Sequence, residues 1–190
     1  MMETTIKPLA PDLLDDYLRF FDTMVFEENP GWSACYCFSF FFTGPNEQWN
    51  KENNRRSVTE FIKGGKMTGY MAYLDDVPVG WCNVNNRLNY PRLLKYYDLI
   101  DNPADKVCSV VCFLIKPEYR RQGIARKMLE QICADCSEND YDYIEAYPGK
   151  GKLSCERLYK GPLKLYLDFG FAIEKEFDDY VVVRKKIKSC

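Results

Sequence analysis

Apolar positions change their spacing several times along the chain, and each change marks an element. Residues 4–9 read as a short first strand. After Pro11-Asp12, a helix-start pair, Leu14, Tyr17, Leu18, Phe21 and Val25 recur on one helical face. Residues 29–50 follow neither period: Trp32, Tyr36, Phe38, Phe40, Phe41, Phe42 and Trp49 crowd between Pro30-Gly31 and Gly44-Pro45. A second helix is expected over about 47–63, stopped by Gly64-Gly65. Residues 69–74 and 77–84 then read as two strands around the turn Asp75-Asp76. A long polar connection over 85–106 holds a short helix near 92–97. Val107 to Ile115 is a continuous apolar run, the mark of a central strand buried on both faces. Beyond Gly123 a helix runs to about Cys136, with Ile124, Met128, Ile132 and Cys136 on its apolar face. Residues 141–147 form another strand, and a Gly/Lys-rich loop over 148–152 leads to a helical segment ending at Asp168. The chain closes with a hairpin, 171–177 and 180–187, across Asp178-Asp179.

This order is α/β in kind, more loosely α+β: a mixed central sheet of about six to seven strands flanked by helices, read as one domain over 1–190. A chain of 190 residues buries roughly 70% of the surface its unfolded form exposes, enough for a core without staples. Hydrophobic residues make up 46% and charged residues 28%, which argues against disorder. The formal charge of -2 and the lack of a basic stripe argue against nucleic acid. No leader pattern is visible over 1–14, and the apolar run 107–115 is too short to span a bilayer, so a cytoplasmic, membrane-free protein is expected.

Nine cysteines and no histidine invite a disulfide or metal reading. The odd count without a leader favours free thiols. Cys133-x-x-Cys136 has redox spacing, but Cys136 lies on the apolar helix face. Cys35-x-Cys37 lacks a second ligand pair, so no metal site is expected. Gly149-Lys150-Gly151-Lys152 is followed by Leu153 rather than Ser or Thr, so it fails as a P-loop.

A buried strand feeding a glycine turn and then a helix is a physical recipe for binding phosphate. The first turn of a helix offers unpaired N–H groups, and the macrodipole adds about half a positive charge there. Gly123 admits a ligand to the backbone, small Ala125 keeps bulk away, and Arg120, Arg121 and Arg126 add charge.

The segment Arg120-Arg121-Gln122-Gly123-Ile124-Ala125 resembles the R/Q-x-x-G-x-G/A motif of the GNAT superfamily of acyl-CoA-dependent N-acyltransferases, and the order of elements agrees from Thr4 to Ile187. The resemblance implies that backbone amides from Arg121 through Gln122, Gly123, Ile124 and Ala125 to Arg126 hold the pyrophosphate of acetyl-CoA. It also implies that the backbone of Phe113, Leu114 and Ile115 pairs with the pantetheine arm, in a splay between the two central parallel strands. An N–H in that stretch would meet the oxyanion of a tetrahedral intermediate formed by direct attack of a primary amine. Leu165-Tyr166-Leu167-Asp168-Phe169-Gly170-Phe171 is similar to the L-Y-x-x-x-G-F segment whose tyrosine protonates the departing thiolate, which makes Tyr166 the candidate acid.

The acceptor must also lose a proton. An ammonium with pKa near 10.4 needs about 4.6 kcal/mol to deprotonate at neutral pH. With no histidine, the base is a carboxylate through water, a tyrosine, or solvent, and Glu145 is the best-placed carboxylate. Gly80-Trp81-Cys82, Arg87, Tyr90, Cys112-Phe113 and Glu145-Ala146-Tyr147-Pro148 resemble a bacterial branch of the superfamily. Cys112 either approaches the thioester or is a small buried thiol. The aromatic block at about 29–50 falls on the substrate side. It either roofs an acceptor pocket, with Trp32, Tyr36, Trp81 and Arg87 as substrate contacts, or forms a second core or dimer contact. The acceptor is a small-molecule or peptide amine, and the protein is a monomer or homodimer. The competing reading is a non-catalytic GNAT-like module that binds CoA as a sensor.

Overall fold

In the computed structural model, which describes residues 4–96 and 105–187, β1 (Thr4–Pro8) leads into helix α1 (Leu14–Asp22). The expected helix is shorter than its apolar spacing. The Thr23 hydroxyl donates to the Arg19 carbonyl at 2.8 Å and closes the last turn, which leaves Val25 exposed. The aromatic segment folds as successive tight turns, among them the 3-10 turns Pro30–Ala34 and Asn46–Gln48. Helix α2 (Lys51–Lys63) starts four residues later than expected, because the Asn50 side chain accepts the Asn53 N–H and caps it there.

Strands β2 (Gly69–Leu74) and β3 (Val77–Asn86) form a hairpin whose two turn aspartates both hold left-handed φ, 46° at Asp75 and 63° at Asp76. The short helix α3 (Pro91–Tyr96) is present; the expected end at Tyr97 lies outside the described residues. Next come β4 (Val107–Ile115), helix α4 (Ile124–Glu138) and β5 (Tyr143–Ala146). β5 is shorter than the expected 141–147. At one end Asp142 turns to accept the Lys106 N–H, and at the other Pro148 has no N–H to extend the ladder. The helical segment before Asp168 reduces to α5 (Leu163–Asp168), because Gly161 at φ 82° and Pro162 break it. β6 (Ala172–Glu176) and β7 (Val181–Lys186) complete one mixed sheet of order β1-β2-β3-β4-β5-β7-β6, flanked by helices as expected.

Each face of the sheet carries its own core. One is packed under α4 by Ile124, Met128, Ile132 and Cys136, the face read from the sequence. The other joins α1, α2 and the aromatic turns around Trp81. β4 serves both, but not by strict alternation. A bulge opposite Asn83/Val84 puts Val111 and Cys112 in succession on the aromatic side, then Phe113 on the α4 side. Among the described residues no helix is long and apolar enough to cross a membrane.

Candidate functional site

The site begins where two parallel strands part. β4 and β5 pair only from Val107↔Tyr143 to Val110↔Ala146. β4 continues to Ile115 while β5 has ended, and the bulge at Val111 turns the strand at that point. The β5-facing edge of residues 111–115 therefore lacks a neighbouring strand, although the other edge stays paired with β3 out to Gly80↔Ile115. Backbone polar groups on such an edge are ready to pair with an extended ligand.

Below this edge the chain makes its glycine turn. Arg121 and Gly123 both hold left-handed φ, 63° and 81°, and α4 opens at Ile124. The N–H groups of Ile124, Ala125 and Arg126 start the helix and have no acceptor within it. A Cβ built on Gly123 meets nothing within 4 Å, so the backbone here faces open space that an anion can fill. Arg120 is not aimed outward: its Nε donates to the Ile115 carbonyl at 3.0 Å and ties the turn to the strand. Gln122 does similar work on the Glu118 carbonyl. Arg126 lies over the Phe169 ring and beside Glu130, while Arg121 is exposed. Turn, dipole and free amides together fit a diphosphate.

Tyr166 reaches the same region from α5. It is fully buried between Phe113 and Phe171, and its hydroxyl donates to the Lys160 carbonyl at 2.7 Å. Burial pushes its pKa well up, so it remains a proton carrier at neutral pH. The adjacent carbonyl, Tyr159, accepts the N–H of Phe113. Two neighbouring carbonyls of one strap, residues 154–161, thus take the candidate acid and one N–H of the stretch Phe113 to Ile115. The strap is pinned at its other end by Glu156, which accepts from the Glu28 N–H and from Asn29 Nδ2 at 2.9 Å. Within the strap, burial lowers the Lys160 pKa to about 8.

Glu145 lies on β5, fully buried, in a polar knot. It accepts from Arg184 Nη2 at 2.6 Å and Nε at 3.0 Å, and from the Tyr147 hydroxyl at 2.5 Å. Arg87 Nη1 stands 3.7 Å away, and the Ser109 hydroxyl meets Tyr147 at 2.9 Å. This carboxylate is engaged with charge and hydroxyl partners, and it does not line the cavity described next.

On the aromatic side of β4 a cavity of about 370 Å³ opens among Trp32, Phe40, Trp49, Arg92, Cys112 and Leu114, with Cys35, Cys37 and Tyr159 also in its wall. Cys112 and Leu114 flank Phe113, so this cavity adjoins the open edge from the opposite face. Of the four expected substrate contacts, Trp32 lines it. Tyr36 is held below the wall, its hydroxyl on Asp22 and its carbonyl on the Tyr17 hydroxyl. Trp81 is buried on β3, and Arg87 belongs to the Glu145 knot. Tyr159 and Lys160 have no place among the residues expected from sequence, and Cys37 appears there only as a rejected metal ligand. The one local signal was Cys35-x-Cys37 inside the aromatic block, set aside because it made no metal motif.

Comparisons with known proteins bear on the family and the fold. A family model described as the acetyltransferase (GNAT) family matches residues 31–160. No curated protein matches the chain by sequence. Among solved structures, an N-acetyltransferase from Staphylococcus aureus Mu50 is similar at TM-score 0.58 and 13% identity, over 98% of this chain and 99% of that one. The PaiA N-acetyltransferase from Thermoplasma acidophilum, in complex with coenzyme A, gives 0.56 and 14% over 97% and 99%. The ribosomal-protein-S18-alanine N-acetyltransferase from Escherichia coli gives 0.57 and 11% over 99% and 96%. At these identities the likeness is one of fold.

Proposed function

The chain belongs to the acetyltransferase (GNAT) family, and from that premise we propose that it transfers an acetyl group from acetyl-CoA to a primary amine of a small molecule or peptide. The observation that carries the reading is the juxtaposition of a strand edge with no neighbouring strand, an amide-lined glycine turn and a buried tyrosine. The amides of residues 121–126 bind the diphosphate, and the edge of Phe113 to Ile115 pairs with the pantetheine arm. When bound, acetyl-CoA supplies the activated acyl group. The amine attacks it directly, and the Phe113 N–H stabilises the oxygen of the tetrahedral intermediate. Tyr166 then gives its proton to the departing thiolate. Both donors must first leave the carbonyls of Tyr159 and Lys160, so the strap yields when acetyl-CoA binds.

The experiment is incubation with acetyl-CoA and a broad panel of primary amines, with free thiol measured over time. Amine-dependent release of CoA is expected, together with a higher melting temperature in acetyl-CoA alone. A second reading, a non-catalytic CoA-binding sensor, draws support from the capping of both donors by the strap. Stabilisation by CoA with no release across the panel would establish that reading and remove the first.

A further inference from the structure

The acceptor ammonium needs a base, the chain has no histidine, and Glu145 is committed to Arg184 and Tyr147. The aromatic cavity supplies another group. Cys37 is buried in its wall and sits, with Tyr36, in two consecutive left-handed residues at φ 53° and 45°. Neither is glycine, and strained pairs of this kind persist where surrounding structure holds a side chain in a set direction. Here the direction is toward a donor on the sheet. Asn83 Nδ2 donates to the Cys37 sulfur at 3.2 Å and to its carbonyl at 3.1 Å. Its amide is oriented by the Tyr90 hydroxyl, which donates to Oδ1 at 2.6 Å. Cys112 lies in the same cavity wall and also lowers the Cys37 pKa. Trp81 Nε1 is fully buried without a hydrogen-bond partner. The indole is among the groups that favour a charged sulfur at Cys37.

An orphaned indole N–H in a core is a standing cost unless something negative uses it. We propose that Cys37 is the base of the acceptor pocket, its thiolate taking a proton from the ammonium of the bound amine before that nitrogen attacks. This rests on the acetyl-transfer reading above. The first proton passes from nitrogen to sulfur. The C–N bond then forms and the thioester C–S bond breaks. The second nitrogen proton accounts for the one that CoA carries away through Tyr166. Cys37 finally returns its proton to solvent, so one proton is released per turnover.

The surroundings favour ionisation of this thiol over its neighbours. Burial raises the Cys37 pKa, but Cys112, Asn83 and Trp81 outweigh it and hold the thiol below its ordinary range. The titratable groups facing it are Tyr17 on α1, Cys35 and Tyr36 on its own segment, Cys82 on β3, Tyr90 beyond β3 and Cys112 on β4. All are pushed upward, by burial or, for Cys112, first by Cys37, so they stay neutral. The cation of the strap, Lys160, interacts with Cys112.

The test is a pH titration of the ultraviolet thiolate absorbance on the whole protein, without acetyl-CoA or amine. One thiol should ionise below the ordinary cysteine pKa of about 8.5, and that step should vanish in Cys37→Ser. Trp81→Phe guards against a folding failure: it removes the indole N–H but keeps an aromatic ring in the core, so the space it leaves should lower the melting temperature by only a few degrees. It should still move the thiolate step up by about one unit and cut turnover near neutrality about tenfold. The proposal is overturned if no low titration appears, if it survives Cys37→Ser, or if acetyl-CoA alone leaves an acetyl group on Cys37. Since the titration needs no substrate, its failure condemns the thiolate, whereas silence of the amine panel condemns the transfer reading.

Discussion

The two faces of the sheet are built by different means. The α4 face is regular: a single helix lays Ile124, Met128, Ile132 and Cys136 on the strands, and its first turn presents amides beside Gly123. The aromatic face has short turns, two left-handed residues at Tyr36 and Cys37, and polar groups set into the core under the cavity. The regular face suits a ligand part that is the same for every reaction of this kind, a diphosphate held by backbone. The irregular face suits the part that varies, because turns and side chains can be shaped one at a time. The strap over 154–161 joins the two, with one carbonyl on Phe113 and the next on Tyr166.

The sharpest way to break this division is at Gly123. Gly123→Leu forces a branched side chain into φ 81° and into the open space the anion needs. Acetyl-CoA binding by calorimetry should fall below detection while the cavity changes little and the strained φ lowers the melting temperature by a few degrees. Unchanged affinity would move the cofactor elsewhere. Next comes Glu145→Ala, which takes the buried carboxylate from Arg184 while Asp105 stays at 3.6 Å, and should cost about 3 kcal/mol of stability by denaturant unfolding. If instead the fold held while turnover collapsed, Glu145 would be chemical and the irregular face would lose its claim to the base. Tyr166→Phe should lower turnover about a hundredfold, with CoA affinity nearly constant and about 1 kcal/mol lost with the bond to the Lys160 carbonyl. An unaffected rate removes its acid role.

The smallest effect concerns the strap. Lys160 titrates near 8 in the folded chain, below its ordinary 10.5, because burial disfavours its charge. Between those values the unfolded chain holds a proton that the folded chain has lost, so this group makes stability rise with pH across that window. Below the folded value both states are charged and the burial penalty is fully present. Lys160→Met should therefore be more stable than the parent at neutral pH, with the gap narrowing as pH climbs from 8 toward 10.5. A gap that stays constant would mean the ammonium is not confined by burial.

The same contrast explains what could be read from residues alone. The glycine turn, the apolar run of β4 and the helical face after it depend on neighbours in sequence, and their expected positions hold. The bulge at Val111 does not show in that run, because an extra residue in a strand buried on both faces leaves no gap in the apolar pattern. Glu145 reads from sequence as the best-placed carboxylate, since its partners, Arg87 and Arg184, come from distant segments that only the sheet brings together. Tyr36 looked like a substrate contact, yet its hydroxyl turns back to Asp22. Cys37 carried no signal beyond its spacing from Cys35, because its partners come from β3 and β4. The strap falls in what reads as a helical segment ending at Asp168, and its role lies in two carbonyls that every residue possesses.

A crystal structure with acetyl-CoA bound tests the central claim most directly. The account predicts diphosphate oxygens on the amides of the turn at residues 121–126, the pantetheine arm along Phe113 to Ile115, and the Phe113 N–H released from the Tyr159 carbonyl. Acetyl-CoA bound elsewhere, with the strap still closed on Phe113 and Tyr166, would contradict it.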